Sequence, residues 1–159
     1  CRMKPVLFAA LLALAAPQLA SAQAAPAVAL KSETFVARTV TDAAGNKKNE
    51  LQPATRVLPG DPLVFILSWK NNSNKAVTGF VINNPVPRNT VYTGAKDPAP
   101  LVSVDGGKTF GPLAAAKVRS ADGTMRAATA QDVQVVRWTL AQPIAPGGTG
   151  NVVFFAMVK

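Results

Sequence analysis

The stretch LPGDPLVFILSWKNNSNKAVTGFVINNPVP, Leu58 to Pro87, constrains the fold more than any other part of the chain. Pro59-Gly60-Asp61 reads as a turn. After it Leu63, Phe65, Leu67 and Trp69 alternate with Val64, Ile66, Ser68 and Lys70. A period of two with one fully apolar face predicts a β-strand. Asn71-Asn72-Ser73-Asn74 supplies turn residues that break it. A second strand is predicted with Phe80 and Ile82 on one face and Gly79, Val81 and Asn83 on the other. Pro85 and Pro87 end it, because proline cannot donate to a ladder. Two strands, each with one apolar face, are half the core of a β-sandwich.

The rest of the chain adds short strands between turns. Val28 to Thr41 is rich in Val, Thr and Phe, which favours strand. Phe35 does not share a face with Val36 and Val40, which predicts a bulge or a strand switch. Asp42 to Asn46 reads as a turn, and a short edge strand is expected near Thr55 to Leu58. Thr90 to Thr93 reads as strand. Ser103-Val104-Asp105-Gly106-Gly107-Lys108-Thr109-Phe110 fits the Asp-box pattern, read here as a hairpin in which Gly takes positive φ and Asp bonds nearby amides. Ala121-Asp122-Gly123 marks a second hairpin. Ala127 to Asp132 reads as one helical turn or a loop. The last predicted strand, Asn151 to Lys159, is apolar on both faces: Val152, Phe154, Ala156 and Val158 on one, Val153, Phe155 and Met157 on the other.

Pro59-Gly60-Asp61, the strand running to Asn71, Pro85-Val86-Pro87, Val136-Arg137-Trp138 and Pro146-Gly147-Gly148 together resemble the Ig-like repeat of bacterial and archaeal surface proteins, the domain of unknown function eleven. The likeness runs from about Val57 to Lys159, leaving Lys96 to Asp132 as an insertion, and Asn84 stands where that family usually has Asp. The resemblance implies an Ig-like antiparallel sandwich of about seven to nine strands in two sheets, with Trp138 inside beside Val136 and Leu140. It also implies a stand-alone secreted protein with surface placement and no catalysis. Trp69 is expected in the same core, with Phe65 and Phe80.

Met3 to Ala22 reads as a secretory signal peptide. Arg2 and Lys4 give its positive start, Val6 to Ala16 its apolar run, and Ala20-Ser21-Ala22 a small-x-small cleavage site. Cleavage between Ala22 and Gln23 is expected, with Cys1-Arg2 an upstream extension of the reading frame. Residues 23–159 then form one domain with an extended N-terminal segment, secreted to the periplasm, the cell surface or the extracellular space. The single Cys is lost with the leader, so the mature chain makes no disulfide.

Lys and Arg number 17 against 8 acids, a net charge of +9 and a pI near 10.2. The excess favours polyanions such as an acidic glycan or anionic lipid. Lys47-Lys48 is the longest basic run, which argues against a specific nucleic-acid stripe. The chain has no His, and the mature part no Cys, which removes the usual general base, the thiol nucleophile and the commonest metal ligands. The carboxylates of Glu33, Asp42, Glu50, Asp61, Asp97, Asp105, Asp122 and Asp132 are well separated in sequence and mostly lie in turns. No catalytic, cofactor or metal residues are therefore assigned.

The expected role is a non-enzymatic structural protein of an extracellular filament, matrix or envelope. A binding module for an anionic glycan or lipid is the alternative. Association is expected through Val153, Phe155 and Met157 of the last strand and through Val28 and Leu30 of the N-terminal segment, added as a strand to another copy.

Overall fold

The computed structural model describes residues 25–159 and shows an all-β protein whose long-range pairings are all antiparallel. The strands are β1 (Val28–Thr41), β2 (Lys47–Pro53), β3 (Pro62–Asn71), β4 (Val81–Pro85), β5 (Thr90–Ala95), β6 (Leu101–Ser103), β7 (Lys117–Arg119), β8 (Met125–Ala127), β9 (Val135–Thr139) and β10 (Thr149–Val158). One sheet has the order β2-β1-β3-β10-β5 and the other β4-β9-β6, while β7 and β8 form a separate hairpin within the insertion. Single 3-10 turns occupy Leu113–Ala115 and Ala130–Asp132.

The alternation in β3 puts Leu63, Phe65 and Leu67 in the core, with Trp69 packed at its margin. β10 lies against it in a register that sets Phe154 opposite Phe65 and Val152 opposite Leu67. The rings of Phe65 and Phe154 stack with centroids 4.4 Å apart and planes 5° apart. Trp138 and Tyr92 close on Phe154 at 6.3 and 6.4 Å, distances at which tilted rings attract. From the facing sheet come Ile82 of β4, directly opposite Trp138 of β9, and Val102 of β6, opposite Val136. The Trp138 indole N–H donates to the Pro98 carbonyl at 2.8 Å, so the buried ring keeps its polar atom satisfied.

The turn motifs have direct structural causes. Gly60 takes φ 89°, a conformation that glycine adopts without a Cβ penalty. The Asp61 carboxylate then accepts from the Leu58 backbone N–H at 2.8 Å and from both terminal nitrogens of Arg38. Gly60 N–H and Val158 N–H, bonded to the Val158 and Asp61 carbonyls, tie the turn to the end of β10. Asn71 is fully buried at the other end of β3. Its amide donates to the Lys75 and Ile144 carbonyls, and its side-chain oxygen accepts from Ser73. One side chain thus joins the turn after β3 to the turn before β10.

Several expectations are corrected. β3 and β4 follow one another in sequence yet lie in opposing sheets, since the link between them crosses the sandwich edge. The facing pair holds eight strands, within the seven to nine expected, and the insertion hairpin, expected at Ala121-Asp122-Gly123, forms a separate two-stranded sheet. β1 has no bulge. It pairs with β3 from Val28 to Val36 and with β2 from Phe35 to Thr41, so it changes partner where its alternation falters. The irregularity lies instead between Phe155 and Ala156, where β10 meets β5. The edge strand is Lys47–Pro53 rather than Thr55–Leu58, because the backbone before Pro59 is held by the Asp61 turn. Beyond Val36, β1 and β2 run on as a two-stranded ribbon whose β2 side is almost wholly exposed.

Candidate functional site

The outer face of the five-stranded sheet is the leading candidate. Side chains directly opposite in antiparallel pairs share a face. One row reads Pro53, Phe35, Val64, Phe155 and Gly94 across β2, β1, β3, β10 and β5. The next pairs Ile66 with Val153, and another pairs Met157 with Pro62 and Val91. Val64 and Val153 are short, β-branched and largely shielded among the bigger Phe35, Ile66 and Phe155 around them. Met157 is 44 % exposed and Leu51, opposite Ala37, 48 % exposed. The Lys31–Glu33 ion pair lies on the same face, with Glu33 opposite Ile66 where β2 no longer flanks β1.

The five residues expected at an association surface divide between two faces. Val153, Phe155 and Met157 lie together on the outer face. Val28 and Leu30 lie on the other, opposite Asn71 and Trp69, because β1 is bonded to β3 of its own chain in that register. Val28 is buried there, while Leu30 is 47 % exposed at the sandwich margin. The N-terminal segment is therefore already an internal strand, and only the side of Val28–Glu33 away from β3 lies beyond the reach of β2. The insertion does not cover Met157: its β6 joins the three-stranded sheet and its other strands pair with each other. The predicted cleavage point at Ala22 and Gln23 lies outside the described residues. Sequence reasoning missed Phe35, Ile66 and Leu51, because only the register across β1, β2 and β3 brings them beside β10.

The carboxylates are engaged locally. Asp105 accepts from Ser103 Oγ, from the Lys108 and Thr109 backbone N–H groups and from Thr109 Oγ1 at 2.6 Å, which holds its carboxyl well below the usual range. The Asp box thus closes a loop, as the bridge between Val102 and Gly111 at its base shows. The Arg137 guanidinium covers the Phe110 ring at 3.5 Å. Asp42 and Asp122 are lowered in the same way by nearby amide and hydroxyl donors. Among the described residues no group of three or more His, Cys, Asp or Glu gathers to hold a metal, and no helix is long and apolar enough to cross a membrane.

Comparisons with known proteins found no matching family model, no matching curated protein and no matching solved structure. The likeness to the Ig-like surface repeats therefore stands on the quoted residues alone, while the antiparallel sandwich stands on the coordinates.

Proposed function

We propose that the chain is an exported, non-enzymatic structural module of a cell-envelope or extracellular assembly, and that it works by packing the outer face of its five-stranded sheet against a second copy. The observation that carries this reading is the apolar outer field in which Met157 and Leu51 are exposed and Phe35, Ile66 and Phe155 are half-buried. A sheet with one face in the core ordinarily keeps the other polar. Contiguous apolar surface on a soluble domain marks an interaction site. Two sheets with apolar faces pack face to face about 10 Å apart, so a second copy of this face is a fitting partner. The leader-like Met3–Ala22 supports export, and the resemblance to surface repeats supports the placement.

Sedimentation velocity over a wide concentration range tests the reading, with mature wild type beside Met157→Glu. Met157 is exposed, so the variant folds and melts as the wild type does. Concentration-dependent association that Met157→Glu abolishes is expected. A wild type that stays monomeric, or a variant that associates equally well, rejects the reading.

A further inference from the structure

A second feature, independent of the apolar face, lies at the insertion. The β7–β8 hairpin, the turn after β4 and the segment from Gln131 to Val135 flank an open cleft of about 730 Å³. Arg88, Arg119, Arg126 and Lys159 line it, against one acidic side chain, Asp132. That carboxylate is already satisfied, with both oxygens taken by Arg126 at 2.7 and 2.8 Å and one also accepting the Thr129 backbone N–H. Arg88, Arg119 and Lys159 make no ion pair among the described residues. Three uncompensated cations around one concavity focus a positive potential that scattered surface lysines do not.

The walls are held in place. Thr129 and Asp132 form a reciprocal capping box on the Ala130–Asp132 turn, and Arg126 bolts β8 to it. The Arg119 guanidinium donates through Nη1 to the Gly123 carbonyl at 2.8 Å, which steadies the charged head on the hairpin and leaves its other N–H groups for a ligand. Lys159 donates to the Arg88 carbonyl, which holds those two residues side by side. Gln131, Gln134 and Thr90 add neutral hydrogen-bonding groups to the lining. The volume is that of an ordinary ligand pocket, with room for a few sugar rings. No aromatic side chain lines the cleft, so it offers no stacking platform for nucleobases.

We propose that this cleft binds a segment of an acidic glycan, its carboxylate or sulfate oxygens meeting Arg88, Arg119 and Lys159 and its hydroxyls meeting the amides. Charge-assisted bonds from guanidinium groups supply the anchoring, and arginine suits planar carboxylates.

The test is calorimetric titration of the mature chain with a heparin-derived hexasaccharide and, separately, with an oligogalacturonate; these probes distinguish sulfate from carboxylate. The cleft variant is Arg88→Gln with Arg119→Gln. Lys47→Gln with Lys48→Gln, in the β1–β2 ribbon, removes the same charge outside the cleft. Binding of either probe is expected, weakening as salt rises from about 50 to 200 mM. The cleft variant should lose about tenfold in affinity or more, and the ribbon variant should stay near wild type. Thermal melts of both variants confirm the fold. Failure of both oligosaccharides to bind at low salt overturns the proposal. So does an equal loss in both variants. Tighter, cleft-dependent binding of anionic phospholipid vesicles or of a DNA oligonucleotide overturns the glycan assignment.

Discussion

Phe154 and Phe155 are neighbours on one strand, chemically identical, and the structure assigns them opposite fates. Phe154 is 0 % exposed and stacked on Phe65; Phe155 is only partly buried on the outer face. Replacing Phe154 with Ala loses about 2.5 kcal/mol of transfer free energy for a fully buried side chain. A residual cavity of roughly 80 Å³, at about 24 cal/mol per Å³, adds about 2 kcal/mol. The expected loss is therefore about 4–5 kcal/mol, a large share of the roughly 5–15 kcal/mol that holds a domain folded. Phe154→Leu keeps most of the volume and should cost about 1–2 kcal/mol. Phe155→Ala removes a ring that is half-buried rather than enclosed and should cost about 1–2 kcal/mol. Urea unfolding followed through Trp69 and Trp138 fluorescence measures all three, with midpoints compared at constant slope. If Phe155→Ala costs as much as Phe154→Ala in the monomer, either β10 is turned over or its outer face is covered, and the association argument fails with it.

Gly150 lies directly beneath the Trp69 indole, where an added Cβ would come within 2.3 Å of the ring; Gly150→Ala should displace Trp69, cost about 1–3 kcal/mol and red-shift its emission, whereas an unchanged spectrum refutes that packing. Asn71→Leu strips hydrogen bonds from the Lys75 and Ile144 carbonyls, and a loss of about 2–4 kcal/mol in a denaturant titration is expected; a neutral result would mean those carbonyls find other partners. The carboxyl of Asp105 is depressed in the folded chain from its ordinary 3.8 by the Thr109 and Ser103 donors, so its stabilisation is complete above that value and drains away as pH falls through the folded one. The melting temperature should therefore hold down to about pH 5 and drop below about pH 4, less steeply in Asp105→Asn; identical slopes in the two proteins would remove Asp105 from the account. Deleting Gln23 to Val36 removes the strand registered along β3 from Val28 to Val36, so the product should be unfolded or aggregated, and a well-folded monomer by circular dichroism would show that β1 is dispensable.

The core strands were legible because burial on one face writes itself into a period of two. Leu63, Phe65, Leu67, Ile82, Val136, Trp138 and Phe154 were all placeable inside from the sequence; Trp69, expected in the same core, sits at its margin. The turn residues were legible too, since Gly60 and Asp61 serve local bonds that need no distant partner. Pairing was not legible. Nothing local distinguishes a β3–β4 hairpin from a crossing between sheets, and polar Lys47–Glu50 has no periodicity to betray a strand that faces solvent. The outer apolar field was half visible, as Val153, Phe155 and Met157; the other half lies on strands distant in sequence. The basic cleft was hidden for the same reason: Arg88, Arg119, Arg126 and Lys159 come from separate segments, and only the chain's path gathers them.

The position of β10 bears on how the protein comes to be folded. It follows every other described strand in sequence, yet it lies in the interior of the five-stranded sheet, hydrogen-bonded to β3 on one side and β5 on the other. Until it arrives, two strand edges stand bare and Phe65 lacks the ring that stacks on it. Closing so long a loop before its contacts form is entropically slow, as in other sandwiches dominated by distant pairings. A chain interrupted before Thr149 would present those edges to its neighbours, the condition under which strands pair between molecules. The five-stranded sheet therefore closes only when β10 docks. A nascent copy stays open to capture through β3 and β5 until β10 docks.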